Sequence, residues 1–392
     1  MVDLTKYMKK ELAQVAPSTI YGFAQYVGQF PGVIKLMIGE PDFNAPEHVK
    51  KAAIASIQAD HSHYAAPAGT IGLRRAASHY LAEKYDLHYD PETEIIVTEG
   101  VTEGIYTFLT SVLNPGDKVV IPTPIFPVYI PDVIVTGAKP LLVDTSHDGF
   151  KLTPQKLQQL ISRYGDEIRA VILNYPANPT GVVYRQEELD ALADVIAGKP
   201  IFALCDEIYS ELSYESPYAS FAKSLPEQSV LLNGVSKSHA MTGYRIGVMC
   251  APKAITAQLA KIHEFTITTA PTIMQDAAQE AFSSLEDTET MKQAYRKRRD
   301  YLVTELTKRG FECADPQGTF YLFARLPKWV KQSDRDFCYD MVKKAKVAMT
   351  PGSFFGPGGE NHVRISYATA LPEIKEAIKR LDVYLQDLKK QA

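Results

Sequence analysis

The stretch VLLNGVSKSHAMTGYRIG, residues 230–247, starts as an apolar run and ends in a crowd of polar groups. Its first half reads as a buried strand. After it come Ser236, Lys237, Ser238, His239, Thr242 and Arg245, all within ten positions. Lysine and arginine are solvated surface residues far more often than functional ones, so the rest of the chain has to decide the reading. If residues 237–245 were roughly helical, Lys237 and Arg245 would stand about 12 Å apart along the axis. Their long side chains could then converge on one small molecule.

Outward from this stretch, short apolar runs alternate with helical patterns from about residue 45 to 290. EIIVT (94–98) is followed by GVTEG, VILNYP (171–176) by ANPTG, IFALC (201–205) by DEIY, and SVLLNG (229–234) by the lysine stretch. Apolar strands alternating with longer helices predict an α/β unit whose mostly parallel, mixed sheet lies between helices. Open sheets of this kind present ligands at the carboxyl ends of their strands. Four strand ends therefore direct polar groups at one crevice: the GVTEG amides opening a helix, Asn178, Asp206 with Tyr209, and Ser236 with Lys237. Beyond about residue 290 the texture changes to a charged helix, two short strands near FECA and TFYLFARL, and a last helix from about Leu371. In that helix Ile374, Ile378, Leu381, Leu385 and Leu388 form one apolar stripe. The expected organisation is an N-terminal segment (1–45) joining a small domain, a large domain (46–290), and a C-terminal small α+β domain (291–392).

Bulk composition narrows the function. The chain has 392 residues, 45% of them hydrophobic, and a net charge of −4, so it carries no basic footprint for nucleic acid. Cys205, Cys250, Cys313 and Cys338 lack the spacing of a zinc cage or a disulfide framework. The opening MVDLTKYMKKELAQ has no continuous apolar segment, and the most apolar region, VVIPTPIFPVYIPDVIV, is broken by Pro122, Pro124, Pro127 and Pro131. A cytoplasmic protein with no membrane or nucleic-acid partner and no metal is expected. GVSKS misses the GxSxG nucleophile elbow because Ser238 stands at its final glycine, and TEGVTEG is neither a P-loop nor GxGxxG.

A small molecule with an aldehyde at one end and a phosphate at the other suits a lysine and an arginine so placed. Lysine forms imines with carbonyls, and the planar guanidinium forks onto phosphate oxygens. Pyridoxal 5'-phosphate (PLP) has both groups on one ring, and its ring nitrogen needs a carboxylate to stay protonated. Asp206 is the candidate.

SKSHAMTGYRIG, NYPANPTG, CDEIYSEL, GEPDF, HYAAPAG and HVRISYA, in this order, resemble the class I PLP-dependent aminotransferases of fold type I, and within them most the bacterial aromatic amino acid and N-acetyl-diaminopimelate aminotransferases. The resemblance implies a homodimer with shared active sites and a set of residue roles. Lys237 matches the lysine that holds the cofactor and moves protons. Asp206 matches the partner of the ring nitrogen, and Tyr209 and Asn178 match the hydrogen-bonding pair at the ring oxygen. Ser236, Arg245 and the amides of Val101 and Thr102 match phosphate ligands, and Phe126 matches the ring stacked on the cofactor. Arg364 matches the clamp on the substrate α-carboxylate, assisted by Asn178 and the Gly39 amide. Tyr64 matches a tyrosine that reaches the neighbouring subunit's phosphate. Gly234 departs from the pattern, since many relatives have serine there; Ser236 is expected to replace that phosphate contact.

Expected substrates are an amino acid, aromatic preferred, and a 2-oxo acid such as 2-oxoglutarate. The alternatives are N-acetyl-diaminopimelate or aspartate, with β-elimination by a C–S lyase ranked lower. Some aspartate-using relatives have a lysine where this chain has Thr102, and Tyr21, Phe23, Phe354 and Phe355 lie in segments the family folds toward the site.

Overall fold

The structure is a computed structural model that describes residues 2–214 and 218–391. In chain order its strands are β1 (Ile34–Lys35), β2 (Ile95–Thr98), β3 (Lys118–Thr123), β4 (Lys139–Asp144), β5 (Ile168–Asn174), β6 (Phe202–Asp206), β7 (Ser229–Gly234) and β8 (Gly247–Cys250). The C-terminal part adds β9 (Glu312–Cys313), β10 (Tyr321–Arg325), β11 (Val347–Ala348), β12 (Thr350–Pro351) and β13 (His362–Ser366).

Seven strands form one sheet in the order β2-β8-β7-β6-β5-β3-β4. All neighbours run parallel except β8, which is antiparallel to both β2 and β7. Every residue of β2, β7 and β8 is buried. That is why these strands read as unbroken apolar runs, with helices covering both faces of the sheet. The edge strand β4 alternates between exposed and half-buried positions. The architecture is α/β, as the alternating pattern predicts.

A second sheet, ordered β12-β13-β10-β9, is antiparallel throughout, and its β10–β13 register sets Phe323 opposite Arg364. The N-terminal segment joins this part of the molecule. β1 pairs with β11, and Leu36 N–H donates to Ala348 O at 2.9 Å while its carbonyl accepts from Ser366 N–H at 2.8 Å. In the final helix, Leu371–Gln391, Ile374, Ile378, Leu381 and Leu385 are buried as their spacing predicts, with Leu388 half-buried beside them.

One local expectation is corrected. Residues 237–245 are not a helix. A single turn, Val235–Ser238, ends at His239, Ala240 turns left-handed (φ 53°), and a short 3-10 turn, Thr242–Tyr244, delivers Arg245, itself left-handed (φ 57°). A left-handed residue cannot continue a right-handed helix, so the chain folds back here.

Phe23, in the helix Thr19–Gly28, anchors the N-terminal segment. It is fully buried, with Tyr339 and Phe354 edge-on at ring distances of 5.0 and 6.2 Å. Phe23→Ala should destabilise the protein by about 3–5 kcal/mol, read as a lowered urea midpoint. An unchanged midpoint would contradict this anchoring.

Candidate active site

The ends of β2, β5, β6 and β7 border one cavity of about 240 Å³. Lys237, Asp206, Tyr209, Asn178, Ser236, Arg245, Val101, Thr102, Phe126, Gly39 and Arg364 all line it. Tyr64 does not: it is 85% exposed on the surface of this chain.

Close backbone approach builds the first wall. Gly100 opens the helix Gly100–Val112 with φ 70°, and a Cβ there would lie 2.4 Å from Arg245 Nη2. A Cβ on Gly247 would lie 2.8 Å from Val101 N. Glycine at both positions lets a helix N-terminus, whose amides attract anions, sit against the Arg245 guanidinium. Arg245 Nη1 donates to Thr242 O at 3.0 Å, and no carboxylate pairs with it among the described residues. Gly234 has a comparable origin. A side chain there would meet Gly247 Cα and Ile246 O at 3.0 Å, so the departure from serine accompanies tight packing of β7 on β8.

On the next wall, Asp206 ends β6, buried, with Oδ2 accepting from the Tyr129 hydroxyl and Oδ1 from Ile208 N–H at 3.3 Å. Burial raises its pKa to about 6, against the lowering effect of those hydrogen bonds. A cationic N–H donor in the cavity would hold it ionised. Asn174, the register partner of Asp206, ends β5 and accepts from Asn178 N–H at 3.0 Å. The Tyr209 and Tyr321 hydroxyls meet at 3.2 Å.

Lys237 follows β7 directly and is half-buried, its Nζ donating to Gly39 O at 2.7 Å. Removal from water lowers its pKa to about 8, although the Glu40 charge opposes the shift. The amine is therefore available as a nucleophile closer to neutrality than an ordinary lysine.

Arg364, on β13, is 3% exposed. Its Nη1 donates to Asn178 Oδ1 at 3.0 Å and its Nη2 to Met37 O at 2.9 Å, while Nε is buried without a partner. The guanidinium lies over the rings of Tyr321 (4.3 Å) and Phe355 (4.9 Å), with no carboxylate paired to it among the described residues. A buried cation in this state calls for an anionic ligand.

The lining also includes Ile20, Met37, Ile105, Asn174, Ile208 and Tyr321, which the sequence reading does not single out, and Tyr129 stands behind it on Asp206. Asn174 was findable, since it ends its strand beside Asp206. Tyr129 was hidden in an apolar run. Tyr321 depends on a strand pairing that no local pattern announces. Of the four aromatics expected near the site, none lines the cavity. Phe23 is core, Tyr21 is 66% exposed, Phe354 packs on Phe23, and Phe355 supports Arg364 from behind.

A helix N-terminus against an arginine, a lysine amine, a buried carboxylate and a buried guanidinium with no carboxylate partner among the described residues thus share one cavity. The chain belongs to the aminotransferase class I and II family, whose model matches residues 31–381. It is 40% identical over 373 residues to the probable N-acetyl-LL-diaminopimelate aminotransferase of Bacillus subtilis (strain 168), covering 95% of this chain and 94% of that protein. It is 35% identical over 394 residues to the aspartate aminotransferase of Geobacillus stearothermophilus, covering 97% and 99%. The crystal structure of the aromatic aminotransferase from Pyrococcus horikoshii OT3 superposes with a TM-score of 0.87 at 35% identity, covering 93% of this chain and 99% of that one. The protein is thus an aminotransferase, and its cofactor is PLP. The donor set fits that group: the Arg245 guanidinium beside a helix N-terminus, the Asp206 carboxylate and the Lys237 amine all line this one cavity.

Because the Lys237 ammonium is disfavoured by burial, its neutral form appears above about pH 8. Covalent PLP uptake by the cofactor-free protein should therefore accelerate as pH rises through about 8, rather than through the ordinary lysine value. Glu40→Gln should move that midpoint lower, because Glu40 favours the charged amine. Stopped-flow absorbance against pH checks both, and a midpoint near 10 would contradict the burial argument.

Proposed function

We propose that the enzyme transfers an amino group from an amino acid with an uncharged side chain, aromatic preferred, to a 2-oxo acid such as 2-oxoglutarate. In this reading Arg364 takes the substrate α-carboxylate through guanidinium N–H groups not already given to Asn178 and Met37, assisted by the Gly39 N–H. Asn178, whose Oδ1 is occupied by Arg364, keeps its Nδ2 as a donor toward the cofactor ring oxygen, opposite Tyr209. Ser236, Arg245 and the Val101 and Thr102 amides hold the phosphate. Bound PLP supplies an electron-accepting ring that acidifies the substrate Cα–H. Lys237, once the incoming substrate amine has taken its place and freed Nζ, would act as the base that removes this proton and hands it back. Asp206 keeps the ring nitrogen protonated, and Phe126 flanks the ring.

One observation carries the substrate reading. The cationic groups of the cavity are Lys237, Arg245 and Arg364, and each has a duty common to every amino acid substrate. Thr102, Ile20, Met37 and Ile105 supply no further positive charge for a distal carboxylate. An uncharged ring gains about 1.5–3 kcal/mol from burial, a preference of roughly ten- to a hundredfold. The 40% identity to the Bacillus subtilis relative supports N-acetyl-diaminopimelate as the second reading. Measured kcat/KM should be highest for phenylalanine or tyrosine. Aspartate or N-acetyl-diaminopimelate leading by tenfold would overturn the preference.

We also propose that the active form is a two-fold dimer with shared sites. Supporting this reading, Tyr64, which the resemblance assigns to the neighbouring subunit's site, is 85% exposed and so open to a second copy of the chain. Mixing Lys237→Ala subunits with Tyr64→Ala subunits should yield heterodimers with one intact site and recovered activity. Isolated heterodimers no more active than either parent would overturn the shared-site arrangement.

A further inference from the structure

A second, larger space of about 560 Å³ adjoins the active-site cavity. Its first wall is the N-terminal segment through Val15, Pro17 and Ile20, and its second is the stretch holding Val128, Pro131 and Ile134. Ile20 and Phe126 line both spaces, so the groove and the cavity adjoin at these two side chains. Its lining contains no charged side chain. Both walls are tied down: Lys9 Nζ donates to the Val135 carbonyl, and Ser18 Oγ caps the helix Thr19–Gly28 by accepting from Tyr21 N–H at 3.2 Å. Proline on each side fixes φ and stiffens the backbone.

We infer that this groove is a subsite for the distal part of the substrate side chain, and that it takes amino acids whose apolar chain is longer than that of phenylalanine. The inference rests on the uncharged-substrate reading proposed above and deepens it. A cavity of about 150 Å³ is enough for a benzene ring, so the groove has room for a ring carried on a spacer. A substrate side chain directed toward Ile20 and Phe126 would point at this groove. With no charge in the wall, selection is by apolar contact alone. Each methylene buried there should tighten binding about fourfold, equivalent to ~0.8 kcal/mol.

The test uses the PLP-loaded enzyme and non-reacting carboxylates: 3-phenylpropanoate, 5-phenylpentanoate and 7-phenylheptanoate. Dissociation constants come from the perturbed cofactor absorbance and from competition with phenylalanine. The two added methylenes of 5-phenylpentanoate should tighten binding about fifteenfold over 3-phenylpropanoate. Ile134→Trp, which fills the groove away from the cavity, should abolish that gain while leaving 3-phenylpropanoate unchanged. Affinity independent of length, as when a partner subunit covers the groove, overturns the inference. So does a length gain that survives both Ile134→Trp and the milder Ile134→Ser. Succinate outcompeting 3-phenylpropanoate would instead sink the uncharged-substrate reading, and is scored separately from the length series.

Discussion

The site is organised around charges drawn wholly or partly out of water with hydrogen bonds but few opposite charges beside them. Among the described residues Arg364 is buried with no counter-ion and Arg245 has no carboxylate partner, while burial moves Lys237 and Asp206 away from their ordinary titration. An isolated buried charge is strongly unfavourable, and several in one cavity persist only because the surrounding sheet and helices fix them in place. In the proposed roles, a dianionic phosphate, a ring cation and a substrate carboxylate would relieve that unfavourable desolvation. Affinity and specificity therefore come from repairing an electrostatic deficit that folding has already created.

Much of this was legible in the sequence because it follows from strand ends. A buried parallel strand is mostly apolar, so polar residues at or just beyond its end are conspicuous, and Asp206, Asn178 and Lys237 stand out in this way. The α/β architecture follows from the same runs, and the last helix from its apolar stripe. Arg364 was recognisable only by resemblance, since an arginine in a short apolar strand has no unique local meaning.

What the sequence did not carry is geometry that depends on distant pairing or on individual backbone torsions. Tyr321 meets both Arg364 and Tyr209 because β10 lies beside β13, a pairing with no local signature. The helical spacing assumed for Lys237 and Arg245 failed at Ala240, a residue with no intrinsic preference for the left-handed region it occupies. Tyr64 illustrates a different limit. Its proposed duty belongs to a neighbouring molecule, and one chain folded alone leaves it on the outside.

The reversed direction of β8 has a consequence for how sequence is spent. A parallel neighbour of β7 would require the chain to travel back along the sheet before the next strand could begin, and such a return normally consumes a helix. Because β8 runs the other way, the link from Gly234 to Gly247 never leaves the ligand edge. Residues 235–246 are released from transport and free to be chemistry. Lys237, its neighbouring Ser236 and Arg245 can thus share one short loop, so their mutual placement is insulated from length changes elsewhere in the chain.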